Sequence, residues 1–203
     1  MMGAEAQFLA AEPGVGAHAR SERGARVQRV TRYVALLRAI NLGATRRVPM
    51  PRLREVLTVR GYDGVRTHLA SGNVLLVSTL SEPELAADLT AAIQDEFGLE
   101  VPVIVRTAEE LAGVVAADPL GHLATDPSRY SVTFFAEPLD PERVAAAPTV
   151  DGATSAMRGR ELYLWLPGGF TGPAAAVNWD RVLGQAGTNR NWRTVTKLVE
   201  LAG

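Results

Sequence analysis

Two short segments concentrate side chains with the means to hold an anion. Arg38-Ala39-Ile40-Asn41-Leu42-Gly43-Ala44-Thr45-Arg46-Arg47 follows an apolar run, and Thr188-Asn189-Arg190-Asn191-Trp192-Arg193 precedes one. Guanidinium groups form charge-assisted hydrogen bonds to carboxylate and phosphate, and backbone N–H groups at a loop-to-helix junction add donors that point the same way. The candidate ligand-binding residues are therefore Arg38, Asn41, Gly43, Arg46, Arg190, Asn191, Arg193 and Lys197, with Asn73 beside the Ser71-Gly72 turn. Each has a structural alternative. Asn41 and Gly43 can shape a turn, Asn191 can cap the helix that follows, and Arg190, Arg193 and Lys197 can form a solvated face.

Other chemistry finds little support. The chain has no cysteine, and its histidines, His18, His68 and His122, include no pair at helix or hairpin spacing, so no metal site is expected. No Walker or dinucleotide fingerprint is present, no serine or carboxylate pair has a catalytic spacing, and no cofactor is expected. Whether the chain catalyses anything is left open. Tyr163 and Trp165 alternate with Leu162, Leu164 and Leu166, giving one aromatic and one aliphatic strand face. Packing between two lobes and base stacking both fit that pattern, and packing is the simpler reading. Trp192 is likewise read as a core anchor, with Val195 and Val199 on the same helix face.

The 203 residues, 47% hydrophobic and 21% charged, describe a soluble globular protein able to bury about 70% of its unfolded surface. No apolar run reaches the roughly 18 residues of a membrane span, and Glu5 and Glu12 stand where a signal peptide would need a cationic start and an uninterrupted apolar stretch. A cytoplasmic protein with no membrane partner, monomeric or homodimeric, is expected. The net charge of −1 hides a segregation: Arg20 to Arg60 holds eleven arginines against Glu22 and Glu55, while Glu82 to Asp126 holds ten acidic residues against Arg106. Such blocks can create a local potential, or can simply coat helix faces.

The elements that must position these residues follow from periodicity and caps. Residues 1 to 28 show no sustained period and include Pro13, and are expected to be a disordered extension. Tyr33 to Ile40 reads as a strand interrupted by Arg38, and a helix follows, entered at Pro49 and Pro51 and closed by Gly61. Val65 to Ala70 and Asn73 to Ser78 flank Ser71-Gly72 as a hairpin with a two-residue turn. Ser81 with Glu84 opens a helix that Gly98 closes, and Val101 to Arg106 is a strand. A linking helix capped by Thr107 and Glu110 leads to a looser repeat of the same order. That repeat comprises a strand at Tyr130 to Ala136, a short helix from Asp140-Pro141, a hairpin turning at Gly159-Arg160, a helix from about 173 to 183, and a last helix from about Asn191. The expected fold is α+β, with two ferredoxin-like (split βαβ) lobes at 29–106 and 107–203 packed together as an internal duplication.

The segments YVALLRAINLG at Tyr33–Gly43, Val48-Pro49-Met50, SGNVLL at Ser71–Leu76, VPVIVRT at Val101–Thr107, LYLWLP at Leu162–Pro167 and RNWRTVTKL at Arg190–Leu198 together resemble the bacterial domain-of-unknown-function 1697 family. The resemblance implies two ferredoxin-like lobes and no established activity. It also implies a Ser-Lys-Leu-type segment after the LWLP strand, where this chain has Gly172-Pro173-Ala174-Ala175-Ala176-Val177. Three functions are thus in play: a small anionic ligand, such as a nucleotide or phosphorylated metabolite, held between the lobes; nucleic-acid association through the arginine segments; or a homodimeric interaction module.

Overall fold

The computed structural model describes residues 29–43 and 46–203. The expectation for residues 1–28 falls outside the described residues. Two antiparallel four-stranded sheets organise the chain. The first contains β1 (Thr31–Leu37), β2 (Asp63–His68), β3 (Asn73–Ser78) and β4 (Val103–Thr107), with α1 (Met50–Val59) after β1 and α2 (Glu82–Phe97) after β3. A linking helix, α3 (Ala108–Ala117), leads to the second sheet, which contains β5 (Tyr130–Phe134), β6 (Thr154–Arg158), β7 (Glu161–Trp165) and β8 (Thr188–Asn191). Here α4 (Pro141–Ala145) follows β5, while a 3-10 turn at Pro173–Ala176 and α5 (Trp179–Leu183) follow β7. The chain closes with α6 (Trp192–Ala202). The spatial orders β2-β3-β1-β4 and β6-β7-β5-β8 are the same order in corresponding strands, so the two lobes share the ferredoxin-like topology.

The strand period of two explains why β1 is apolar throughout. Tyr33, Ala35 and Leu37 join the core beneath α1 and α2, whereas Val34 and Leu36 join a core between the lobes. That inner core also receives Leu111 and Val114 of α3, Val195 and Leu198 of α6, and Val132, Phe134, Tyr163 and Trp165 of the second sheet. Leu162, Leu164 and Leu166 face the other way, against Trp179 and Leu183. The aromatic face of β7 is therefore a packing face, as its alternation predicts.

Local signals set most helix ends. Glu84 accepts from the Ser81 backbone N–H and hydroxyl, Thr107 and Glu110 form the reciprocal capping box, and Asp140 accepts from Glu142 N–H.

Three elements differ from expectation. The first hairpin turns through Leu69–Gly72, because His68 pairs with Asn73. Gly72 has φ +81°, and a Cβ there would stand 2.8 Å from Leu37 Cβ, so the tip is pressed onto the end of β1. The helix expected over 173–183 is broken, and Asn178 restarts it by capping Arg181 N–H. The segment before the last helix is a strand, β8, in which Thr188 and Arg190 are buried while Asn189 and Asn191 are exposed.

Candidate functional site

The two arginine- and asparagine-rich segments meet in space. β8 pairs with β5, which brings Arg190 under the end of β1 and the tip of the first hairpin. Its guanidinium Nε donates to Asn73 Oδ1 at 2.5 Å, Nη1 to Thr188 Oγ1 and Asn189 O, and Nη2 to the carbonyls of Leu37, Ser71 and Gly72. All of these acceptors are uncharged. Burial lowers the pKa of Arg190 to about 10, which leaves it cationic at neutral pH. Asn73 also donates to His68 O and Ser71 Oγ, so its amide orientation is set by the turn it closes. The result is a cation held in a cage of oxygens that ties the second lobe to the first.

The remaining sequence candidates surround this cage or lie apart from it. Arg38 donates to Gly187 O and pairs with Asp180 at 2.5 Å, and Asp180 in turn accepts from Gly187 N–H. Asn41 has φ +54° and exchanges hydrogen bonds with Val48 while donating to Ala70 O. Gly43 has φ +70° with open space around it. Arg46 donates to Ala39 O and Glu100 O. Asn191 caps α6 by accepting from Thr194 N–H. Arg193 and Lys197 are exposed and pair with Asp126 and Glu200, and neither joins the groups around Arg190.

A second cluster of arginines forms where sequence reasoning did not look. Arg106 on β4, Arg158 at the end of β6 and Arg160 in the β6–β7 turn converge at the seam between the lobes. They line a cavity of about 350 Å³ whose walls include Glu110, Glu161 and Tyr163 and whose α3 side is Gly113, Val114 and Ala117. Arg106 is fully buried; it pairs with Glu161 at 2.9 Å and donates to Phe135 O and Val105 O. Burial lowers its pKa, and Glu161 offsets part of that shift. Arg160 bridges helices, contacting Glu82 at 2.8 Å and Glu110 at 2.7 Å. Arg158 is exposed and, among the described residues, has no hydrogen-bond acceptor or ion-pair partner. The signal available in the sequence was the Arg158-Gly159-Arg160 turn, since a two-residue hairpin connection fixes both arginines at one end of a sheet.

The glutamates facing Arg160 are electrostatically unequal. Burial raises the Glu82 carboxyl, and the neighbouring Glu110 carboxylate raises it further, against the opposing pull of Arg160. Burial also acts upward on Glu110. There the neighbouring Glu82 carboxyl, the bond from Thr107 N–H and the Arg160 charge outweigh burial and hold the carboxyl at about 2.

Among the described residues, several of the charges in the blocks seen in the sequence are engaged within the fold. Arg52 meets Glu96, Arg60 grips Asp88 through two nitrogens, Arg54 donates to Thr67, and Arg66 donates to Leu201 O. Among the described residues no cluster of three or more metal-ligating side chains occurs, and no helix is long and apolar enough to cross a membrane.

This is a two-lobed ferredoxin-like α+β protein. The model of a family described as protein of unknown function, DUF1697, matches residues 30–163, and the chain belongs to that family. A solved structure, that of the conserved bacterial protein SP0830 from Streptococcus pneumoniae, is similar, with a TM-score of 0.70 and 22% identity. The match covers 86% of this chain and 100% of that one, and at this identity it supports the fold alone. No curated protein matches the chain.

Proposed function

We propose that the protein binds a small anionic molecule in the cleft between its lobes, with Arg158 receiving the anion. The observation that carries this reading is that Arg158 borders the seam cavity as a guanidinium without a protein acceptor among the described residues. Arg38, Arg46 and Arg190, by contrast, each donate to oxygens of the protein itself. A cavity of about 350 Å³ is of small-molecule size. Its α3 wall of Gly113, Val114 and Ala117 suits a ligand that carries an apolar body behind its anionic group. Among the described residues, Arg38, Arg52 and Arg60 of the arginine-rich segment are paired with carboxylates of the protein, which favours this reading over nucleic-acid association because those three cations are not free for phosphates.

A thermal-shift screen of carboxylates and phosphate esters tests it. A ligand at about 100 times its dissociation constant stabilises by about 2.7 kcal/mol, enough to raise the melting temperature visibly. Arg158→Ala is expected to abolish the shift without altering the melting of the free protein. A shift that survives this substitution, or the lack of any responsive compound, counts against the proposal.

A further inference from the structure

The seam that contains the cavity is close to charge-neutral. Arg106, Arg158 and Arg160 are matched by Glu82, Glu110 and Glu161. An anion entering this balanced set adds an uncompensated negative charge to a partly desolvated place, which is costly. A proton entering with it restores the balance. Glu82 sits where such a proton is best received, because it shares the Arg160 guanidinium with Glu110 while Glu110 Oε2 is already committed to Thr107 N–H at 2.9 Å. Two carboxylates on one guanidinium leave one charge in surplus, and a proton between them turns their repulsion into a hydrogen bond.

We propose, on the basis of the anion-binding reading above, that the Glu82–Arg160–Glu110 cluster makes occupation of the cleft proton-linked, Glu82 taking up one proton when an anion binds beside Arg158 and Arg160. No bond other than the O–H on Glu82 forms, and the proton comes from solvent. The upward shift of Glu82 and the low value of Glu110 agree with this division of roles.

The charged groups around Glu82 come from every neighbouring element. β4 contributes Arg106, α3 contributes Glu110, and the β6–β7 turn contributes Arg160 with Glu161 beside it. Glu137, after β5, borders the same crevice as Glu82, and Glu84 on α2 and Tyr33 on β1 complete the set. Glu84 is held low by its bonds to Ser81. Tyr33 is raised by burial and stays neutral.

The experiment is calorimetric titration with inorganic sulfate, which keeps its charge across pH 5 to 8 and so reports only on the protein. Wild-type affinity is expected to weaken by up to about tenfold per pH unit above the titration of Glu82, the slope for uptake of one proton. Glu82→Gln, which mimics the protonated side chain, is expected to bind as tightly at pH 8 as at pH 5, and Arg158→Ala to bind at neither. Should Glu82→Gln fail to fold, Glu110→Gln removes the same charge from the other helix and is expected to flatten the profile too. Sulfate binding that depends on Arg158 but is equally tight at every pH overturns the proton linkage and leaves the anion site standing. An Arg158-dependent slope that persists in Glu82→Gln and in Glu110→Gln also overturns it. Absence of binding in both wild type and Glu82→Gln overturns the anion site and the linkage together.

Discussion

Arg190 Nε donates to Asn73 Oδ1 at 2.5 Å, so the last strand of the second lobe is fastened to the first hairpin of the first lobe across 117 residues of chain. The acceptor is a neutral amide, so the Arg190 cation has no counter-charge in this contact. The guanidinium fork reaches an amide, a hydroxyl and four carbonyls at once, a geometry that the single ammonium of lysine cannot reproduce.

Arg190→Ala is expected to cost at least about 3 kcal/mol of stability, because it strands Asn73 Oδ1 and buried carbonyls together, and bonds to a charged donor are each worth about 1.5 to 3 kcal/mol. Arg190→Lys is expected to recover less than half of the loss. Urea denaturation of the two variants measures this, and a cost below about 1 kcal/mol for the alanine variant would show the cage to be dispensable.

Trp192 is half-buried and stacks on Tyr130 with ring centroids 4.5 Å apart, while Val195 is fully buried beneath it. Trp192→Ala is expected to cost about 2 to 3 kcal/mol, less than the roughly 3 to 5 kcal/mol of a fully buried tryptophan. Thermal or chemical unfolding gives the number, and loss of near-ultraviolet ellipticity should accompany it. Unchanged stability would remove Trp192 from the core.

Arg106 and Glu161 form a buried pair, with side chains 1% and 12% exposed. Removing one member of such a pair typically costs about 3 to 5 kcal/mol, largely because the other charge is left without its partner. Arg106→Met alone should therefore be more destabilising than Arg106→Met combined with Glu161→Met. Equal or additive losses in a double-mutant cycle would show that the two charges do not depend on each other.

Glu82 and Glu110 respond to pH in opposite directions. Glu110 is held below its unfolded value, so its contribution is present above the unfolded value near 4.5 and is lost as the pH falls towards about 2. Glu82 is raised, so its contribution is present below the unfolded value and is lost as the pH rises through its higher folded value. At neutral pH, Glu110→Gln is thus expected to lower the melting temperature more than Glu82→Gln, with the Glu110→Gln deficit closing in acid. Melting curves from pH 2 to 8 check the order, and the reverse order would refute the assignment.

Much of the architecture is legible in the sequence because it rests on short-range physics. The uninterrupted apolar run Tyr33–Leu37 and the alternation in Leu162–Leu166 both follow from side chains leaving a strand on opposite faces, buried on both in the first case. The capping of α2, α3 and α4 depends on residues no more than three positions apart. The positive φ of Gly72 and the turn at Gly159-Arg160 are equally local. What the sequence could not decide depends on partners far along the chain. Thr188–Asn191 has the composition of a loop and becomes a strand because β5 supplies its hydrogen bonds. Arg38, Arg158 and Arg190 are one residue type, and nothing local distinguishes them. Tertiary structure sends Arg38 to Asp180, buries Arg190 among oxygens and leaves Arg158 at a cavity without an acceptor among the described residues, because the destination of a long guanidinium side chain is set by whichever acceptors the fold brings within its reach.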